Sequence, residues 1–303
     1  MKKNYSCVIV LLILPLPGGY LRAASQDELA KRLEVSRLQA PEKLFDKLSH
    51  QKLTAIGNRA LAMIPEKEWH HTESEHLIIH YQHWAVRERL AREAEFYYWK
   101  IQNDLKLTDD LVKHKSHIFV FQESSNWKKF QAQTDILNIG GVTIRHEFFC
   151  FYPREKTRES SGVVAHEMTH LVFNRFFVGD PPLWLNEGFA EYQAHNAYLV
   201  FYNQRYPVVA HADPRAVQKL DLLEITGWTA YPEDLSTRAA FYMKSQLAVE
   251  VLIENGGIER FVKFVQSMIE NHDFETAFNR HYVEVFKDYA AFLKELSRKE
   301  KRL

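Results

Sequence analysis

Cysteine is nearly absent from this chain of 303 residues, which holds only Cys7 and Cys150. Cys7 lies in an apolar stretch at the very start, so removal of that stretch would leave Cys150 alone. That excludes an intrachain disulfide framework and leaves stability to a packed core. An excess of one charge is also missing, since 39 Lys and Arg offset 39 Asp and Glu. With no clustered basic face, nucleic acid is not expected as a partner. Long apolar runs are absent as well. The run from Cys7 to Leu16 is half the roughly 20 residues that a membrane-spanning helix takes. No internal repeat or low-complexity tract breaks the chain. What is present, 46% hydrophobic and 13% aromatic residues, suits a well-packed globular enzyme.

The short apolar run follows a basic Met1-Lys2-Lys3 and precedes Leu21-Arg22-Ala23-Ala24, which offers cleavage after Ala23 or Ala24. Residues 1–24 therefore read as a secretory signal peptide. The expectation is an exported protein, periplasmic or secreted, with no stable membrane insertion after cleavage. Cys150, inside Phe148-Phe149-Cys150-Phe151-Tyr152, is expected to be a buried strand residue and not a nucleophile.

The densest chemistry lies in His166-Glu167-Met168-Thr169-His170, a case of H-E-x-x-H. On a helix, two imidazoles four residues apart share a face and can bind one metal ion, typically zinc. Glu167 projects elsewhere, where it can take a proton from water at the metal. Ser160 or Ser161 is the expected N-cap of this helix, and Gly179 with Pro181-Pro182 its stop. Val163, Val164, Met168, Leu171, Val172, Phe173, Phe176 and Phe177 surround the axis, which predicts a buried helix. Polar side chains in such a helix need partners. The third ligand is expected from Leu183-Trp184-Leu185-Asn186-Glu187-Gly188-Phe189-Ala190-Glu191-Tyr192, on a second helix beginning near Asn186. Two His and Glu187 leave an open position, as catalytic zinc requires. Glu191, one turn on, can accept the far ring N–H of His166 or His170.

HEMTH followed by WLNEGFAEY resembles the gluzincin zinc metallopeptidases, most closely the peptidase MA-like family and more distantly zinc aminopeptidases of the alanyl-aminopeptidase type. The resemblance implies a zincin-like fold, with His166, His170 and Glu187 holding Zn2+ and Glu167 as general base. Tyr242-Met243-Lys244-Ser245 resembles the aminopeptidases' Y-x-K-G segment, which implies an oxyanion-stabilising role for Tyr242. A tyrosine on an apolar helix is equally a core residue, and both readings stand. Glu75 to Tyr81 resembles the opening strand of peptidase MA-like domains, so the similarity runs over residues 69–295. The aminopeptidases' acidic anchor for a free amino terminus has no counterpart: Gly140-Gly141-Val142-Thr143 stands there, and Glu147 falls at another position. Aminopeptidase specificity is therefore not implied, although the strand can still pair with an extended peptide.

Along the chain, residues 25–65 read as a helical segment, with Pro41 and Gly57 as breaks. Residues 66–178 read as an α/β part carrying the metal helix, with strands at 76–81, 116–121 and one or two within 141–152, and a helix over Ala85–Leu107. Residues 179–303 read as a helical part carrying the third ligand, with helices at 240–255, 258–270 and 282–299. Strands first and helices after predict an α+β fold with a small mixed sheet. His70, His71, His76, His80 and His83 read as ordinary residues. His195 and His211, downstream of Glu187, stand where substrate contacts arise. Arg238 reads as a surface or salt-bridge residue.

The sequence thus points to a zinc-dependent metallopeptidase acting on a peptide or protein. Two other readings use the same residues: a zinc-site protein acting on non-peptide or cell-wall amides, and a non-catalytic peptide-binding module.

Overall fold

A computed structural model describes residues 26–35, 40–107, 114–134, 140–153, 157–177, 179–203, 212–271 and 273–303. The signal peptide expected at residues 1–24 and His211 lie outside the described residues. Six strands form one sheet: β1 (Glu42–Lys43), β2 (His70–Glu73), β3 (Leu77–Tyr81), β4 (Ser116–Phe121), β5 (Gly141–Ile144) and β6 (Glu147–Phe151). Their order is β1-β2-β3-β4-β6-β5. The central β3, β4 and β6 are parallel and the outer pairings antiparallel. Covered on both faces, the parallel strands read as near-continuous apolar runs without alternation.

Around the sheet stand α1 (Gln26–Val35), α2 (Ala55–Met63), α3 (Arg87–Asp104), α4 (Ser124–Thr134) and α5 (Thr157–Phe176). Then come α6 (Leu183–Tyr202), α7 (Pro214–Lys219), α8 (Leu222–Thr226), α9 (Leu235–Gly256), α10 (Ile258–Asn271), α11 (Phe274–Phe286) and α12 (Tyr289–Glu300). The fold is α+β, a mixed sheet followed by a helical C-terminal region, as expected. No described helix is long and apolar enough to cross a membrane.

The two faces of the sheet bury different partners. Leu77, Ile79, Ile118, Val120, Phe148 and Cys150 join α3, α5, α6 and α9 in one core that runs continuously across residue 179. Phe119, Phe121 and Phe149 join Ala60, Ile64, Trp69, Trp127 and Phe130 in a second, outer core under α2 and α4. Cys150 is buried, and that burial pushes its thiol pKa well up.

Three local expectations are corrected. Residues 25–65 are not helical throughout: between α1 and α2, β1 pairs with β2 and a 3-10 turn covers Phe45–Lys47. Tertiary pairing prevails there, with Thr72 Oγ1 donating to Pro41 O at 2.9 Å and Lys43 Nζ to Glu73 Oε2 at 2.8 Å. The helix expected over 282–299 is two helices, because Lys287 has φ 67° and Asp288 caps α12 by accepting from Ala291 N at 2.8 Å. The helix that carries His166 and His170, α5, begins at Thr157, so Ser160 and Ser161 lie inside it; Ser161 Oγ is 2.7 Å from Tyr97 Oη. Its stop is as expected, with Gly179 at φ 105°, a conformation that favours glycine.

Candidate metal centre

α5 lies between the sheet and α6. Val164, Ala165, Met168, Leu171 and Val172 are fully buried along it, and Phe173 packs on Phe189 of α6 with ring centroids 5.0 Å apart. α6 starts at Leu183, one turn earlier than expected, because Pro182 O accepts from both Leu185 N and Asn186 N. The earlier start leaves Glu187 and Glu191 on the turn that faces α5.

His166, His170 and Glu187 come together there. Among the described residues they form the single group of three or more such side chains whose candidate ligand atoms all lie within 4.8 Å of one another. His166 Nε2 is 3.1 Å from His170 Nε2. Glu187 Oε2 is 3.2 Å from His166 Nε2, and its Oε1 is 3.6 Å from His170 Nε2.

The far ring nitrogens face acceptors. Glu191 Oε1 lies 3.1 Å from His166 Nδ1, within ion-pair distance though not aligned as a hydrogen bond. Asn186 Oδ1 lies 3.1 Å from His170 Nδ1. With protons at both Nδ1 atoms, two Nε2 lone pairs and a carboxylate point into one small space. None of these three groups then has a hydrogen to offer the others, so the arrangement calls for positive charge. Burial disfavours charge on His166 and His170, but Glu187, helped at His166 by Glu191, overcomes it and raises both imidazole pKa values. Burial likewise opposes a charged Glu187, and the two histidines hold its pKa down. This donor set fits a metal ion.

Glu167 is 5% exposed and does not enter the triad. Thr143 Oγ1, on β5, donates to Glu167 Oε2 at 2.7 Å. Burial raises the Glu167 carboxyl pKa. The strand comes this close because residue 141 is glycine: a Cβ there would lie 2.7 Å from Glu167 Cγ and from Val163 Cγ1. Glu147 is far from any such anchor role. Thr54 N donates to its Oε1 at 2.5 Å and Thr54 Oγ1 to its Oε2 at 2.6 Å, at the start of α2.

Tyr242, on α9, sits beside the triad with its ring 6.2 Å from that of His166. Tyr231, from the loop before α9, stacks on Tyr242 at 6.2 Å and donates from Oη to Glu187 Oε1 at 2.6 Å. Burial and then Glu187 raise the pKa of both phenols. Arg238 braces this loop, its Nε donating to Pro232 O at 2.8 Å. His195 is not part of the metal group.

Sequence reading missed Thr143, Asn186 and Tyr231. Asn186 stands next to Glu187 and sixteen positions after His170, a spacing that placed its neighbour and so could have placed it. Thr143 follows the two glycines of a strand whose proximity to the helix has no local signal, and Tyr231 lies in a loop with none. No protein-family model matches the chain, and no curated protein matches it.

Proposed function

We propose that this protein is a zinc-dependent metallopeptidase of the gluzincin type, exported from the cytoplasm. The observation that carries the reading is the convergence of His166 Nε2, His170 Nε2 and the Glu187 carboxylate beside a separate, buried Glu167. A purely structural zinc site has no use for that fourth group.

His166, His170 and Glu187 would hold the ion. When bound, zinc supplies Lewis acidity, polarising a substrate carbonyl and bringing the pKa of water toward neutrality. Glu191 and Asn186 orient the imidazoles so that Nε2 faces the ion. Tyr231 fixes the Glu187 carboxylate through Oε1. Thr143 holds Glu167 by Oε2, leaving Oε1 to take a proton from the attacking water and return it to the leaving amine. Tyr242, whose ring lies 6.2 Å from that of His166, would donate its hydroxyl to the oxyanion. A peptide is the favoured substrate because β5, whose Thr143 touches Glu167, is an edge strand whose outer side can pair with an extended chain.

The test is Glu167→Gln, which keeps the size of the side chain and an acceptor for Thr143. The variant should bind one zinc per chain by elemental analysis while peptide cleavage falls roughly 10²–10⁴-fold. Cleavage at the wild-type rate would overturn the assignment.

A further inference from the structure

The loop from Gly227 to Asp234 joins α8 to α9 and forms an open cavity of about 480 Å3, lined by Trp228, Thr229, Ala230, Tyr231, Pro232 and Thr237. Its volume lies within the range of ligand clefts, roughly 300–1,000 Å3. Apart from the Tyr231 phenol, none of these side chains ionises. Tyr231 is the wall shared with the metal centre: its ring lines the cavity and its hydroxyl is bonded to Glu187. The cavity therefore opens within one side-chain length of the triad.

The walls are held from behind. The Trp228 ring stacks on Phe241 at 5.5 Å and 21°, and Phe241 is fully buried. Trp228 N donates to Ile225 O at 3.2 Å, at the end of α8. At the other end Asp234 caps α9 by accepting from Thr237 N at 2.7 Å, and Arg238 holds the Pro232 carbonyl. Leu223 on α8 and Leu235 at the start of α9 are 52% and 73% exposed. Both helices that the loop joins thus expose a large apolar side chain, and the cavity's lining carries no charge.

We propose that this loop is the specificity pocket of the enzyme and receives a bulky apolar side chain, aliphatic or aromatic, of the peptide next to the bond cleaved. The inference rests on the metallopeptidase reading for what the occupant is. A charged side chain lying here would lose part of its hydration against Trp228, Tyr231 and Pro232 and meet no opposite charge among the lining residues. A bulky apolar one would be covered by Trp228, Pro232 and the face of Tyr231. Tyr231 thus couples recognition to the centre, since the ring that contacts the side chain also positions the Glu187 carboxylate.

Binding is measured on zinc-loaded Glu167→Gln, so that it does not depend on turnover. The probes are fluorescently labelled peptides of polar background with Phe, Leu, Asp or Lys at one varied position, moved in turn through the sequence. At one position Phe and Leu should bind at least about tenfold tighter than Asp and Lys. Ala230→Asp and Thr229→Lys, both at exposed wall positions, should each abolish that preference. Ala230→Asp should shift it toward Lys and Thr229→Lys toward Asp, with zinc content and melting temperature unchanged. Equal binding of all four probes, or a preference that survives both changes, overturns the pocket. Parallel cleavage assays on otherwise wild-type protein separate the two readings. An apolar preference in binding that both changes remove, without cleavage, keeps the pocket and removes the peptidase. Cleavage with no side-chain preference does the reverse.

Discussion

Two histidines on one helix face are common, and what distinguishes His166 and His170 is the company kept by their far nitrogens. Glu191 and Asn186 take the same role at equal distance, 3.1 Å each, but one offers a charge and the other a neutral amide oxygen. Each biases its ring toward the tautomer with the proton at Nδ1 and so leaves the Nε2 lone pair free to accept a metal ion. Removing either acceptor leaves the ligands in place but lets the rings turn or shift tautomer. Glu191→Ala and Asn186→Ala should each weaken zinc binding by roughly 10–100-fold. The larger effect is expected at Glu191, whose charge also offsets that of the ion. Competition titration with a calibrated chelator reads both values, and affinities equal to wild type would show that the far nitrogens do not set the site. Glu191 was legible in the sequence because it stands one helical turn from Glu187, and a period of 3.6 residues fixes such a pair.

Among elements, the site depends on how closely α6 can approach α9. A Cβ on Gly188 would lie 2.4 Å from the Ser245 carbonyl oxygen, and backbone cannot give way as a flexible side chain does. Gly188 adjoins Glu187, so the same crossing that needs glycine holds Glu187 against α5 and brings Tyr242 of α9 to the triad. Gly188→Ala should therefore destabilise the protein by roughly 1–3 kcal/mol, the usual effect of overpacking. It should also weaken zinc binding by moving Glu187. A denaturation midpoint equal to wild type would mean that the crossing has slack. The elements themselves were mostly readable: β4 and β6 as apolar runs, α3 from its amphipathic pattern, the metal helix from apolar residues ended by Gly179. Contacts between elements were not. Ser161 looks like an N-cap in sequence, yet its hydroxyl answers Tyr97 from another helix. β1 and β2 hold too few residues to show a period, and only their pairing with each other and with β3 makes them strands. Tyr231 reaches Glu187 across 44 positions, which no local pattern encodes.

For the molecule as a whole, the outer face of the sheet carries a titratable row that the metal centre does not use. His71, His80 and His117, on the neighbouring strands β2, β3 and β4, are linked through Nδ1 to Nδ1 at 2.8 Å and Nε2 to Nδ1 at 2.9 Å. They are 5%, 0% and 0% exposed, and Phe45 covers the first two. His50 lies over His117 with ring centroids 5.5 Å apart and stacks on His114. Other ionisable groups surround the row: Glu42 paired with His70 at one end, His146 and Lys52 near the other, and Glu147 already committed to Thr54. Neutral imidazoles satisfy the row in either direction, each link having one donor and one acceptor. One extra proton leaves one hydrogen in each link whichever ring carries the charge, because the outer nitrogens of His71 and His117 can both be protonated. A second sets N–H against N–H. Burial is the main reason the pKa falls to about 4 at His71, to about 3 at His117, and well below the usual value at His80; neighbouring imidazoles add to it. Unfolded, each titrates near 6.5. Between that value and the depressed ones the unfolded chain binds more protons, so stability rises with pH. The contribution is complete above about pH 6.5 and is lost as pH falls toward 4 and 3. Glu73 acts with the same sign at lower pH: burial opposes its charge, but Lys115 and Lys43 hold its pKa at about 2. Glu250, raised by burial to about 7, acts in the opposite sense, as do Glu167 and Asp104, whose carboxyl pKa values burial also raises. Urea midpoints of metal-free protein should therefore fall steadily from pH 7 to pH 4. His80→Phe should be less stable than wild type at pH 7.5, because it leaves His71 and His117 without their shared partner. Its stability should nonetheless depend less on pH by about one proton, ~1.4 kcal/mol per pH unit between pH 4 and 6. Parallel profiles for the two proteins would show that the row does not titrate on unfolding. A shallower profile in the variant would assign the acid sensitivity to the sheet's outer face, where residues 41–64 dock, and not to the metal centre on the other side.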